Sequence, residues 1–249
     1  MLFRSFLGWA FVVAFLAFMA MQAKTYYLAP IYALPFAAGA IVVEDAARRR
    51  RWVAWLAGGL LVLGGAITAP YAVPILPVSA LPVYLRLLGI REVRPETRAM
   101  GDVPQIFADM LAWDQLVAEV ARVYYRLPPV DRTRAAIWGS YYGPAGAVDY
   151  FGPRYGLPKA ISGHQNYYLW GPGDASGEVV IAVDFRATDL EPWFEQVELA
   201  GTVDCEYCMP DRRTQRIYLC RRLKLPLREF WPQVKCWTCD RPPFTRSTP

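Results

Sequence analysis

The 249 residues contain a single histidine, His164, and no H-E-x-x-H motif, so a paired-histidine metal site cannot be assembled. G-x-x-x-x-G-K-[ST] and G-x-G-x-x-G are also missing, which removes two common backbone cradles for nucleotide phosphates. There is no D-x-D to hold a metal with a nucleotide diphosphate. Any activated group this chain handles is therefore not expected to arrive as a metal-bound nucleotide, and no metal or cofactor is expected. No internal repeat or low-complexity segment is present. Charge is absent from residues 5–23, from 25–43 and from Trp52 to Leu85.

Those uncharged runs dominate what is there. Hydrophobic residues make up 55% of the chain and mean hydropathy is +0.16, too apolar for an ordinary soluble domain. A bilayer core of about 30 Å is crossed by roughly 20 apolar residues of helix. The sequence thus predicts three transmembrane helices, near 3–22, 26–44 and 52–70. A signal peptide is the alternative for the first, but its apolar run is long and lacks an A-x-A ending. Arg48, Arg49, Arg50 and Arg51 fill the short second connection, and arginine-rich short loops stay on the cytoplasmic side. That places Lys24, Tyr26 and Tyr27 outside, together with everything after about residue 86. The same arginines could contact lipid headgroups or nucleic acid. Flanking spans make topology the better role, and nucleic acid is not an expected partner.

Pro70, Pro74, Pro77 and Pro82 interrupt the apolar sequence as a connector, so residues 1–85 form a membrane region and 86–249 an extracytoplasmic domain. Within 103–127, Ile106, Met110, Trp113, Leu116, Val117, Val120 and Val123 recur at helical spacing. Residues 135–143 and 178–185 have strand character. Thr188 with Glu191 predicts a capped helix through LEPWFEQVEL, and TVDCEYCM and RIYLCRRL read as two more strands. The alternation predicts a small α/β domain.

All five cysteines fall late in the chain: Cys205, Cys208, Cys220, Cys236 and Cys239. They admit a disulfide between neighbouring strands, Cys208 to Cys220, or a zinc site from the two CxxC pairs, or free thiols. CWTC at 236–239 has redox spacing but lies at the tail. Lys24, with Tyr26 and Tyr27, sits where a lysine can meet a lipid-carrier phosphate; simple interfacial anchoring is the alternative.

Three segments, KTYYLAPIYALPFAAGAIVVE, YYGPAGAVDYFGPRYGLPKAISGHQNYYLWGP and CEYCMP with YLCR, resemble the C-terminal part of bacterial membrane glycosyltransferases of the dolichyl-phosphate-mannose protein mannosyltransferase-like (GT-C) family. The resemblance runs from about Lys24 onward. It implies transfer of a sugar from a polyprenyl-phosphate carrier to an extracytoplasmic acceptor, in a bacterial inner membrane, without D-x-D. Such enzymes take their base from an acidic residue in the first outer loop. This chain's first acid is Glu44, so it offers no catalytic residue and is expected to be incomplete alone, completed by upstream sequence or a second membrane chain. Within 141–172, Tyr142, Asp149, Tyr155, His164, Asn166, Tyr168 and Trp170 are the expected acceptor- or sugar-binding side chains, because aromatic faces stack on sugar rings and polar groups bond hydroxyls. An ordered loop with glycine and proline turns is the alternative. So is a membrane-anchored glycan- or protein-binding module without catalysis.

Overall fold

A computed structural model describes residues 2–21, 25–90 and 101–237, and the chain divides into two compact units, Met1–Arg98 and Ala99–Pro249. In the first unit, α1 (Leu2–Ala20) is followed by a 3-10 turn, Thr25–Tyr32, that leads into α2 (Ala33–Arg49), and then by α3 (Trp52–Ala72). Among the described residues, two helices are long and apolar enough to cross a membrane: Tyr27–Arg49, which includes part of that turn, and Trp52–Ala72. The apolar part of α1, Gly8–Ala20, is shorter. Apart from Leu28, apolar side chains of the two long helices are largely exposed, as Phe36 in α2 and Trp55 and Leu61 in α3 show. A helix hydrophobic all round calls for an apolar solvent.

Pro70 does not stop α3, which runs two residues past it to Ala72. The chain breaks instead at Val73, and Pro82 opens the short helix Leu81–Leu87, where a missing N–H costs nothing. The Tyr84 hydroxyl donates to the Ile67 carbonyl at 2.6 Å, tying that helix back to α3.

The second unit is a five-stranded mixed sheet in the order β2-β1-β3-β5-β4. Its strands are β1 (Ala135–Gly139), β2 (Ala160–Ile161), β3 (Val179–Val183), β4 (Phe194–Asp204) and β5 (Thr214–Leu223). β1 runs parallel to β2 and β3, while β5 is antiparallel to β3 and β4. Every residue of β3 is buried, as a central strand covered on both faces requires.

One face packs the helices Trp113–Arg126 and Tyr142–Phe151 through Leu116, Val120, Val148, Ile137 and Ile181. The other carries Trp138, Phe185, Phe194, Phe230 and Trp231 under short helical turns. At Gly139 a Cβ would come within 2.6 Å of the Ala145 nitrogen, so glycine is what lets the second helix lie against β1.

Three sequence expectations change here. The helix expected over 103–127 is divided into a single turn, Gln105–Ala108, and a helix that restarts at Trp113 after Ala112 takes a left-handed φ of 64°. The Trp113 indole donates to the Asp109 carbonyl at 2.7 Å and lies under the buried Arg212 guanidinium, which fixes the restart.

The helix expected through LEPWFEQVEL is a single turn, Ala187–Leu190, followed by the edge strand β4. Thr188 does not cap it; the Arg186 N–H donates to the Asp189 carboxylate. Pairing of β4 with β5 overrides the local helical pattern.

The disulfide expected between Cys208 and Cys220 is replaced by one between Cys205 and Cys208, and Cys220 is a free, buried thiol. The register explains it. Val197 faces Cys220, whereas Cys208 lies in the turn beyond the Asp204–Thr214 rung. Six residues of strand separate Thr214 from Cys220, about 20 Å at strand rise, far beyond disulfide reach. The bond also removes Cys205 and Cys208 from the zinc reading. Cys236 is disulfide-bonded as well, and Cys239 lies outside the described residues.

Candidate functional site

Parallel strands give the sheet two chemically different ends. At the amino ends of β1, β2 and β3 a cavity of about 930 Å³ opens between residues 133–136, 158–161 and 170–178. It is within the size range of small-ligand pockets.

Its walls follow from the chain path. The helix Tyr142–Phe151 brings Asp149 to this end, and the five-residue helix Asn166–Trp170 delivers Tyr167 and Trp170. The Asp149 carboxylate accepts the Ala160 backbone N–H through one oxygen and the Tyr167 hydroxyl through the other, each at 2.8 Å. Those two donors hold it in place. Burial, reinforced by the hydrogen bond to Asp149, pushes the Tyr167 phenol up from its ordinary value, so it stays protonated and donates.

Tyr167 meets Trp170 edge to face at 4.8 Å, and Trp170 leaves 69% of its surface exposed as a flat wall. Arg134 and Lys159 add cations to the lining, Asp174 and Glu178 add carboxylates, and Arg134 pairs with Glu178 at 2.9 Å.

Both oxygens of Asp149 are occupied by donors. Among the described residues there is no group of three or more His, Cys, Asp or Glu side chains able to hold a metal.

The expected binding residues divide between places. Asp149 and Trp170 line the cavity. Tyr142 and His164 meet at the opposite, carboxyl end of the sheet, with ring centroids 5.0 Å apart and nearly parallel. Tyr155 uses its carbonyl to accept from the Tyr125 hydroxyl at 2.6 Å. Asn166 starts its short helix, exposed. Tyr168 stacks on Trp231 in the second core, and its carbonyl accepts the Trp231 indole N–H. Lys24 lies outside the described residues, only the backbone of Tyr26 is described, and Tyr27 is about half exposed in the 3-10 turn.

Tyr167, Arg134 and Lys159 were not expected. A signal for Tyr167 existed: it lies three residues before Trp170, so on any helical turn the two rings share a face. No protein-family model, curated protein or solved structure matches this chain.

Proposed function

We propose that this chain is the membrane-anchored, saccharide-binding portion of a glycosyltransferase that draws on a polyprenyl-phosphate-linked sugar, with its α/β domain on the extracytoplasmic side. The observation that carries the reading is the amino-end cavity, where Trp170 and Tyr167 stand beside a fixed Asp149 carboxylate and a mixed-charge rim. An exposed indole offers an apolar face to a sugar ring, and the surrounding carboxylates and cations bond its hydroxyls.

On this reading α1 joins the two longer helices as a third span. Arg48 to Arg51 mark the cytoplasmic side, and Lys24, Tyr26 and Tyr27 meet the carrier phosphate outside. The base that activates the acceptor hydroxyl comes from another membrane segment or chain. Glu44 is unsuited to that role, because on this topology it lies at the cytoplasmic end of its span, beside Arg48 to Arg51.

A second reading, a binding module with no associated transfer, is favoured by the double hydrogen bonding of Asp149, which fits recognition better than proton transfer.

The test uses the whole chain in lipid nanodiscs, titrated with neutral gluco-, manno- and galacto-oligosaccharides while tryptophan fluorescence is followed. Saturable quenching that disappears in Trp170→Ala supports saccharide binding. Quenching by none of them overturns it. Transfer of labelled sugar from a polyprenyl-phosphate donor in membranes that also supply the catalytic segment separates the enzyme from the bare binding module.

A further inference from the structure

The two edges of the sheet differ. β2, at one edge, is two residues long, whereas β4, at the other, runs for eleven. An antiparallel strand bonds its neighbour through every second residue and turns the N–H and C=O groups of the others outward. Beyond the ladder to β5, no backbone group of residues 195–204 has a hydrogen-bond partner among the described residues. Exposure agrees. Only Phe194 is buried in β4, and Glu195, Gln196, Glu198, Leu199, Thr202 and Asp204 are open to solvent. A long edge with unpaired backbone groups is a template for another strand.

The register decides which part of that edge a guest can follow. It holds constant from Phe194 to Leu199 and slips by one residue before Gly201, where a Cβ would strike the Glu119 carboxylate of the helix Trp113–Arg126. The slip ends the regular stretch. Within it, Glu198 lies opposite Leu219, on the face that packs that helix, and Leu199 lies opposite Tyr218, on the face of the aromatic cluster. Neighbouring residues of a strand point to opposite faces, so the edge offers a carboxylate on one face and a half-exposed apolar side chain on the other.

Charge narrows the guest further. Between Phe194 and Asp204 stand three carboxylates, Glu195, Glu198 and Asp204, and no lysine or arginine. Two are already engaged: Glu195 pairs with Arg222 at 2.9 Å, and Asp204 accepts the Thr214 hydroxyl at 2.7 Å. Glu198 is exposed and has no ion-pair partner among the described residues. A second copy is a poor fit, because pairing β4 with β4 would set carboxylates along the shared edge with no cation on either strand, and like charges across strands repel. A basic strand meets the opposite condition.

We propose that β4 is a docking edge for an extended segment of a partner protein in which basic and apolar residues alternate, added to the sheet as a sixth strand beside Glu195–Leu199. Main-chain hydrogen bonds to the outward N–H and C=O groups supply the affinity, and alternate side chains supply the selection. A lysine or arginine of the guest lies beside Glu198 on one face, and an apolar residue lies beside Val197 and Leu199 on the other. This edge is across the sheet from the saccharide cavity, which opens beside β1 and β2, and the proposal does not depend on that reading.

The test uses the whole chain in phosphatidylcholine nanodiscs and a fluorescent peptide of alternating lysine and valine, six residues long, with empty nanodiscs as the control for adsorption to lipid. Saturable binding by anisotropy is expected, together with slower amide hydrogen exchange within residues 194–204. Glu198→Lys turns a favourable cross-strand pair into a repulsive one and is expected to weaken binding about tenfold, while gaining the peptide in which glutamate replaces lysine. Glu198 is exposed, and unchanged exchange in β3 verifies that the variant is folded. A peptide N-methylated at every residue keeps its charge but loses its main-chain donors, and is expected not to bind. The proposal is overturned by absence of binding, by binding that full N-methylation spares, or by binding that Glu198→Lys leaves unchanged. Protection of 194–204 that grows with protein concentration in the absence of peptide assigns the edge to a second copy and overturns it as well.

Discussion

Tyr167 and the backbone of Ala160 converge on one carboxylate: Asp149 accepts the phenol through one oxygen and the amide of β2 through the other. The helix Tyr142–Phe151, the short strand β2 and the turn carrying Trp170 are thereby joined at the wall of the cavity. Asp149→Ala leaves a partly buried hydroxyl and an amide unpaired and is expected to cost about 1–3 kcal/mol, whereas Tyr167→Phe removes one neutral donor and costs about 1 kcal/mol. Thermal unfolding of the two variants checks the order. Equal losses would mean that the Ala160 amide finds another acceptor.

Trp170 makes the opposite case. It is largely exposed, so Trp170→Ala is expected to change stability by less than about 0.5 kcal/mol while abolishing saccharide-induced quenching. A large drop in melting temperature would show that the indole is structural.

Cys220 is buried between the paired strands, and burial pushes its thiol up to about 12. A thiol that stays protonated at neutral pH is a poor nucleophile. Alkylation of the unreduced, folded chain is expected to leave Cys220 unmodified, and denaturation to add one adduct there. Peptide mass spectrometry distinguishes these states; rapid labelling of the native protein would contradict the placement.

Burial also lowers the His164 pKa from its ordinary value, and the groups against its ring are the phenols of Tyr141 and Tyr142. The sign follows from linkage. The folded imidazole stays neutral while the unfolded one binds a proton near pH 6.5, so this contribution is complete above that pH and is lost as pH falls toward the folded-state value. Thermal unfolding across this range is expected to show a decline that His164→Gln flattens.

How much of this was legible in the sequence depends on the range of the interaction that decides it. β3 could be read directly, because Val179 to Val183 is an unbroken apolar, β-branched run with no competing helical period. The helix Trp113–Arg126 was legible in its apolar stripe, but its start was not, since that depends on Arg212, about a hundred residues later, lying over Trp113. β4 was misread because Phe194, Val197 and Leu199 fit either period, and only its partner β5 settles the matter. The same holds at the sites. Asp149 and Trp170 could be picked by residue type, whereas the hold of the Ala160 amide and the Tyr167 hydroxyl on Asp149 depends on how the chain folds back between them, which no local pattern encodes.

The strand order has a consequence for how the domain is made. β5 lies between β3 and β4, so the strand synthesised last is the one that bridges the sheet. Until Thr214–Leu223 has emerged, one side of β3 lacks its neighbour and β4 has no strand to pair with. The loop bearing His164 waits longer still, for the backbone of Cys236. Assembly of the α/β domain thus waits until the chain has been made through β5 and on to Cys236, and a stalled product ending before β5 would present an unpaired apolar strand edge to whatever chaperone or neighbouring chain is at hand.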